Sequence, residues 1–298
     1  MQSVAIIGIG RVGGALAIAL DKCGYSVDKL FVRSGKQLEH LTGKLSKDPQ
    51  VLDQEHFDLI AEDIVFITTQ DSEIGRVTAR LVQFLKNKPK LVFHTSGSRS
   101  SDILKPLSEL EINTGSIHPL TSISDPVSGS KQFKSSFFCI EGDEVAREFA
   151  LTFARDLGGK PFSIESQYKT LYHASAVMAS GHFVALIHLA TSLLSECGLE
   201  KDKAFEILLP LIESTLANLH SQSFSEALTG TFARADLETM IRHIDSLKKN
   251  ADTDALDLYL QLGTRSLMLS ESAGADTESI KQMREIISEE RKWGSEQS

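Results

Sequence analysis

The sequence predicts an α/β fold, a doubly wound parallel sheet followed by an all-helical C-terminal domain, from three observations. Short apolar runs alternate with helix-length segments through the first half of the chain. A glycine-rich turn joins the first of those runs directly to the first helix. The β signal then fades, and beyond residue 163 helical patterns run on to the C-terminus.

The expected strands are Val4–Gly8, Leu30–Arg33, Ile64–Thr69, Leu91–Thr95, Ile112–His118 and Phe137–Glu141, with a last short one at Pro161–Ile164. Runs such as VAIIG, IVFIT and KLVFH are apolar without strict alternation, as parallel strands covered by helices on both faces must be. After Ser166 a single long helix is expected to about Cys197, stopped at Gly198. Helices then follow over Lys203–His220, Phe224–Leu228, Leu237–Asn250, Ala255–Ser270 and Thr277–Arg291, with Gly230, Gly263 and Gly274 as separators. The domain division is therefore read as 1–163 for the sheet and 164–298 for the helices.

Composition narrows the function classes. A chain of 298 residues with 41% hydrophobic and 24% charged residues has the makeup of a globular protein. A formal net charge of −9 argues against a general nucleic-acid or anionic-membrane surface, because both need a basic footprint. Cys23, Cys139 and Cys197 are widely spaced and join no cysteine–histidine cluster, so neither a disulfide framework nor a metal site is expected, and a cytoplasmic location fits. The apolar stretch from Val4 to Leu20 lacks a basic leader and carries Arg11, so it is read as fold rather than signal; no other apolar run approaches membrane-spanning length.

In VAIIGIGRVGGALAIAL, Gly8-x-Gly10-x-x-Gly13 follows a strand and opens a helix. Gly8 permits the tight turn, Gly10 admits a pyrophosphate to the backbone, and Gly13 lets helix pack on strand, while the amides of the helix start face the phosphates. Gly8, Ile9, Gly10, Arg11, Val12 and Gly13 are thus candidate dinucleotide contacts. An NAD enzyme usually ends its second strand in Asp or Glu for the ribose hydroxyls, whereas this one ends in Arg33-Ser34. A guanidinium suits a 2′-phosphate, so NADP is preferred over NAD, with a solvated surface Arg33 as the bland alternative. Thr68, Thr69, Gln70, Thr95 and Ser96 fall where strand ends meet a cofactor.

The strand ends HTSGS and GSIHP bring Ser96, Gly97 and His118 to the same carboxyl edge. Reduction of a carbonyl by hydride needs a proton donor, for which His118 with Ser96 is the leading pair; a His118 satisfied by backbone groups is the rival reading. Lys169 and His173, four apart on a helix, form a second donor pair, and Lys169 or Arg234 could hold a substrate carboxylate. Asp236, just before a helix, reads as its N-cap.

The segments GIGRVGGAL, HTSGS, GSIHPL, LYHASAVMAS and LTGTFARAD followed by His243, taken in that order, resemble a family of predicted oxidoreductases. These join a Rossmann-like domain to a helical domain of unknown function 2520, and are similar in layout to ketopantoate reductases, pyrroline-carboxylate reductases and β-hydroxyacid dehydrogenases. The resemblance implies NAD(P) dependence and a helical domain, like the C-terminal domain of 6-phosphogluconate dehydrogenase, that closes over the nicotinamide and often dimerises. It also likens Arg33-Ser34 to a 2′-phosphate site and His118-Pro119 to the histidine-proline turn of prephenate dehydrogenases. The chain departs from the pattern with Gly181 for asparagine, Thr231 for proline, Ala235 for glycine, and His173 for the asparagine of a lysine-asparagine pair. The expectation is hydride transfer from NADPH to a small 2-oxo acid, ketopantoate among them, by a homodimer paired through its helical domain. A non-catalytic NADP(H)-binding regulator is the alternative.

Overall fold

The computed structural model describes residues 2–33, 38, 41 and 43–295, the side chains of 293–295 excepted. Ser34 lies outside the described residues. The chain divides into two compact units, Met1–Gly181 and His182–Ser298, so the division falls later than the expected boundary after residue 163.

The first unit is built on an eight-stranded sheet. In chain order its elements are β1 (Ser3–Ile7), α1 (Arg11–Lys22), β2 (Ser26–Val32), β3 (Gln50–Asp53), β4 (Ile64–Ile67), α2 (Asp71–Phe84) and β5 (Leu91–His94). There follow α3 (Lys105–Ser108), β6 (Asn113–Leu120), α4 (Pro126–Gln132), β7 (Phe137–Gly142), α5 (Glu144–Asp156), β8 (Lys160–Ser163) and α6 (Lys169–Val177). The sheet order is β3-β2-β1-β4-β5-β6-β7-β8. Successive β1 residues feed opposite cores: Val4 and Ile6 join the layer that includes Leu16, Leu20 and Phe153, whereas Ala5 and Ile7 join that of Ile74, Val77 and Leu81. Two covered faces explain why these strands are apolar throughout.

Two features correct the sequence reading. The edge strand β3 went unrecognised because Gln50-Val51-Leu52-Asp53 is largely exposed and offers no apolar run. The sheet is also mixed rather than wholly parallel, since β7 pairs antiparallel with β6, placing Ser116 opposite Glu141 and His118 opposite Cys139. The intervening α4 has seven residues, about 10 Å of helix, against about 26 Å for the eight-residue β6. It is too short to carry the chain back along the strand, and it packs instead against α1, where a Cβ on Gly14 would come within 3.0 Å of Pro126.

The long helix expected from Ser166 is interrupted: α6 ends at Val177, a π-turn occupies Met178–His182, and α7 (Phe183–Ser195) resumes. Residues 166–195 contain an 18-residue window of mean hydropathy 1.6, long and apolar enough by composition to cross a membrane, which corrects the expectation that no such run exists.

The second unit continues with α8 (Lys201–Ser221), α9 (Phe224–Ala227), α10 (Gly230–Ala233), α11 (Leu237–Asn250), α12 (Thr253–Ser272) and α13 (Thr277–Ser295). Its core is Met240, Ile244, Leu260, Leu267, Ile280, Met283 and Ile287. Gly263 does not separate helices as expected; it lies inside α12, where a Cβ would stand 2.7 Å from the Phe232 ring. The Asp236 cap is as read, its carboxylate accepting the Thr239 amide at 3.0 Å. Between α10 and that cap, Ala235 has φ of +50°. The Ala235 amide donates to the Phe232 carbonyl at 3.1 Å and the Asp236 amide to that of Thr231 at 2.9 Å, the paired bonds of a Schellman ending in which glycine is favoured. Replacing Ala235→Gly relieves the left-handed strain, with an expected gain of about 0.5–1 kcal/mol. A thermal melt checks this; a fall in Tm contradicts it.

Candidate functional site

The turn between β1 and α1 uses its three glycines differently. Gly8 has φ of +95°, and a Cβ there would lie 2.7 Å from Thr69 Cγ2. At Gly13 a Cβ would collide with the Gly8 carbonyl oxygen and Thr68 Oγ1, so helix and strand meet backbone to backbone. The Thr68 hydroxyl closes the junction by donating to the Gly8 carbonyl at 2.5 Å. Gly10 is the exception: a Cβ there would meet no atom within 4 Å. It is also the N-cap of a twelve-residue helix with no side-chain cap and no acid in its first turn. The first-turn amides therefore face outward with a net positive end.

These atoms wall a cleft of about 150 Å³ lined by Gly8, Ile9, Gly10, Arg33, Gln54, Thr68, Thr69, Gln70 and Glu73. Seven of the nine were singled out from sequence; Gln54 and Glu73 were not. Gln54 follows the unrecognised β3, and Glu73, ion-paired with Arg76, sits on the first turn of α2 just past Gln70. Arg33 is exposed and has no carboxylate partner among the described residues. Thr69 Oγ1 is buried without a hydrogen-bond partner. Arg11 and Val12 are outside the lining, with Arg11 exposed. An open backbone cradle at a helix start, an orphaned hydroxyl and a guanidinium with no carboxylate partner among the described residues fit a dinucleotide.

Neighbouring strands β1, β4, β5 and β6 run parallel, so their carboxyl ends share one edge. At the end of β5 the turn is pinned by His94. Its Nδ1 accepts the Ser96 amide at 3.2 Å and its Nε2 faces the Ser100 carbonyl at 3.1 Å, which requires the neutral Nε2–H tautomer. Burial, the larger cause, holds His94 down at about 4, against the opposing Ser100 bond. Ser96, expected to orient a carbonyl, caps this turn instead: Oγ accepts the amides of Ser98 at 3.2 Å and Arg99 at 3.0 Å. Thr95 donates its amide to the Ile67 carbonyl at 3.1 Å, tying the turn to β4.

His118 is bonded not to Ser96 but to Tyr172 on α6, with Nδ1 and the phenol oxygen 2.7 Å apart. Its Nε2 points at Gly97, where a Cβ would lie 2.7 Å away, and His173 Nδ1 converges on the same position, buried and unpartnered. The two imidazole rings stand 5.7 Å apart, edge to face. Desolvation, then the Lys169 ammonium, then His173, hold His118 at about 3, well below the usual imidazole range. Burial likewise pushes the Tyr172 phenol up. Both groups are uncharged at neutral pH.

Lys169 does not share a wet face with His173. Only 1% exposed, it turns under the sheet to Glu141 Oε1 at 3.4 Å, Ser116 Oγ at 3.1 Å and Cys139 Sγ at 3.8 Å. The partner expected at its tip was a substrate carboxylate; the one present is internal. Tyr172, Glu141 and Cys139 were missed from sequence because their roles depend on the β6–β7 reversal and on which way α6 faces. Arg234 lies in the second unit, exposed beside Asp236, whose carboxyl is held low chiefly by the Thr239 amide and to a lesser degree by Arg234 itself. Among the described residues no group of three or more metal-ligating side chains occurs.

Comparison with known proteins yields matches in families and in structures, whereas no curated protein matches. Residues 1–119 match the Rossmann-like domain, and residues 136–266 match the domain of unknown function 2520. A candidate NADP oxidoreductase of Bacteroides fragilis superposes with a TM-score of 0.71 at 22% identity, covering 89% of this chain and 97% of that one. A protein of Thermotoga maritima gives 0.69 at 23% identity, covering 91% and 99%. An imine reductase from a Pseudomonas species gives 0.62 at 18% identity, covering 95% and 99%. At these identities the superpositions speak to the fold. The two family matches follow one another along the sequence, and the chain accordingly joins a Rossmann-like domain to a domain of unknown function 2520.

Proposed function

We propose that this chain is an NADPH-dependent reductase acting on the C=O or C=N bond of a small carboxylate-bearing substrate. The observation that carries the reading is Gly10, whose missing side chain answers to no protein atom and whose neighbours are unpaired amides. Protein packing accounts for Gly13, whereas an approaching ligand gives a use to the open space at Gly10. Arg33, at the cleft wall without a carboxylate partner among the described residues, supports the 2′-phosphorylated form of the cofactor. When bound, the dinucleotide supplies hydride at its nicotinamide carbon. Three strand spacings, about 14 Å, separate β1 from β6, so an extended ligand laid along this edge passes from the Gly10 cradle toward His118.

At the far end the His118 and His173 ring nitrogens close on the Gly97 backbone, where a side chain would collide with both rings. His118 donates or accepts at the substrate's oxygen or nitrogen while Tyr172 fixes its other nitrogen. A 2-oxo acid such as ketopantoate is the first substrate class to test. Cyclic imines come second, because an imine reductase shares the fold over nearly its whole length. We further propose a homodimer formed through the helical unit, supported by Phe205, Ile207, Leu209, Leu211, Leu216 and Leu219 of α8, all at least 39% exposed. The free cysteines fit a cytoplasmic setting.

Gly10→Val leaves the melting temperature nearly unchanged but weakens NADPH binding at least tenfold, whereas Gly13→Ala lowers both; equal binding by Gly10→Val and the parent chain refutes the cradle. Arg33→Ala, measured by NADPH fluorescence titration, loses roughly 10- to 100-fold in affinity for NADPH and little for NADH, the size of one charge-assisted contact. No turnover by the parent protein across a panel of 2-oxo acids and imines refutes the reductase reading. Ile207→Glu with Leu211→Glu converts a sedimenting dimer to monomer, and an unchanged sedimentation coefficient places any dimer contact elsewhere.

A further inference from the structure

The buried pair of Lys169 and Glu141 is left without a use by the reading above. Lysine and glutamate at 1% and 4% exposure are costly to bury, and pairs of this kind are commonly replaceable by apolar residues with no loss of stability. Stability is thus a weak reason for the pair. Position gives a stronger one. Ser116 and His118 are alternate residues of β6 and share a face, opposite Glu141 and Cys139 of β7. Lys169 enters from α6 to this patch, and its ammonium lies 6.0 Å from the centre of the Tyr172 ring, the ring whose hydroxyl meets His118. Glu141 is itself anchored by the Ser101 amide at 3.0 Å, while its second oxygen has no partner. The ammonium is consequently locked from both sides and out of reach of solvent.

We propose that Lys169, clamped by Glu141, is a positioning residue: a fixed positive charge that adds to burial in holding His118 as a neutral imidazole bonded to Tyr172. The groups facing His118 are Tyr172, His173 and Lys169 from α6, His94 from β5, Asp71 from α2 and, across the β6–β7 pairing, Cys139. Of these Lys169 is the one held charged by a buried counter-ion, and the distant Asp71 opposes it weakly. A neutral His118 receiving the phenol hydrogen at Nδ1 carries its own proton on Nε2, on the side of the ring that meets Gly97. On the reductase reading, a substrate atom that reaches Nε2 meets a hydrogen-bond donor of fixed tautomer at neutral pH.

The substrate half of this inference rests on the reductase reading; the charge half does not, and the test needs no cofactor. Imidazole resonances of His118 are followed by NMR from pH 4 to 8 in the labelled full-length chain, in Lys169→Met, and in Lys169→Met/Glu141→Gln. The last variant removes both charges and so leaves no buried ion unpaired. In the parent chain His118 stays neutral down to pH 5, and the double variant raises its midpoint by one unit or more. A parent His118 protonated at pH 7, or a midpoint unmoved in the double variant, overturns the assignment. Tyr172→Phe serves as a second variant: it leaves the midpoint below 5 and frees the Nδ1 resonance, and a midpoint restored to the ordinary value near 6.5 transfers the role from Lys169 to Tyr172. A protein with neutral His118 but no turnover on any substrate sinks the reductase reading and leaves the charge assignment standing.

Discussion

Everything at the candidate site depends on a helix that begins in backbone contact with the strand before it. With no side chain at Gly13, the first turn of α1 sits against the Gly8 carbonyl, and Thr68 ties that carbonyl to the end of β4. Backbone contact of this sort fixes the direction of the helix amides to within a narrow range. It also leaves the cradle empty of protein, since the residue that could fill it is another glycine. The same economy appears at the end of β5, where a single ring, His94, satisfies one amide and one carbonyl and so sets the path of five residues.

The site itself is arranged around charge that is present but withheld. Lys169 and Glu141 form a buried ion pair, whereas their neighbours His118, Tyr172 and His173 are the groups able to hold or release hydrogen. Placing the permanent charge below and the adjustable groups above separates two jobs that a single exposed lysine would have to combine. Ser96 fits the same division, since its oxygen is already taken by two amides.

Much of this was legible in the sequence, for definable reasons. Strands covered on both faces write themselves as unbroken apolar runs, so β1, β4 and β5 were found within a residue or two of their ends. The glycine turn was legible because three separate steric demands fall at fixed spacing. By contrast β3 carries an edge strand's mixed polarity, and the reversal at β7 depends on α4 docking on α1, a tertiary event with no local signature. That reversal is what brings Glu141 and Cys139 to Lys169, so the sequence reading could name Lys169 and yet mistake its partner. Ala235, where the family pattern has glycine, shows the opposite case: a local rule broken in the sequence that the backbone confirms as strain.

The leucine-rich flank of α8 has a consequence for how the molecule behaves in bulk. At a formal net charge of −9, copies repel one another over distances set by the ionic atmosphere, about 30 Å in 0.01 M salt and about 8 Å near 0.15 M. Added electrolyte thus removes the long-range repulsion while leaving the attraction between oily surfaces untouched. On the proposed dimer reading, dilute buffer opposes pairing through this flank and moderate salt favours it.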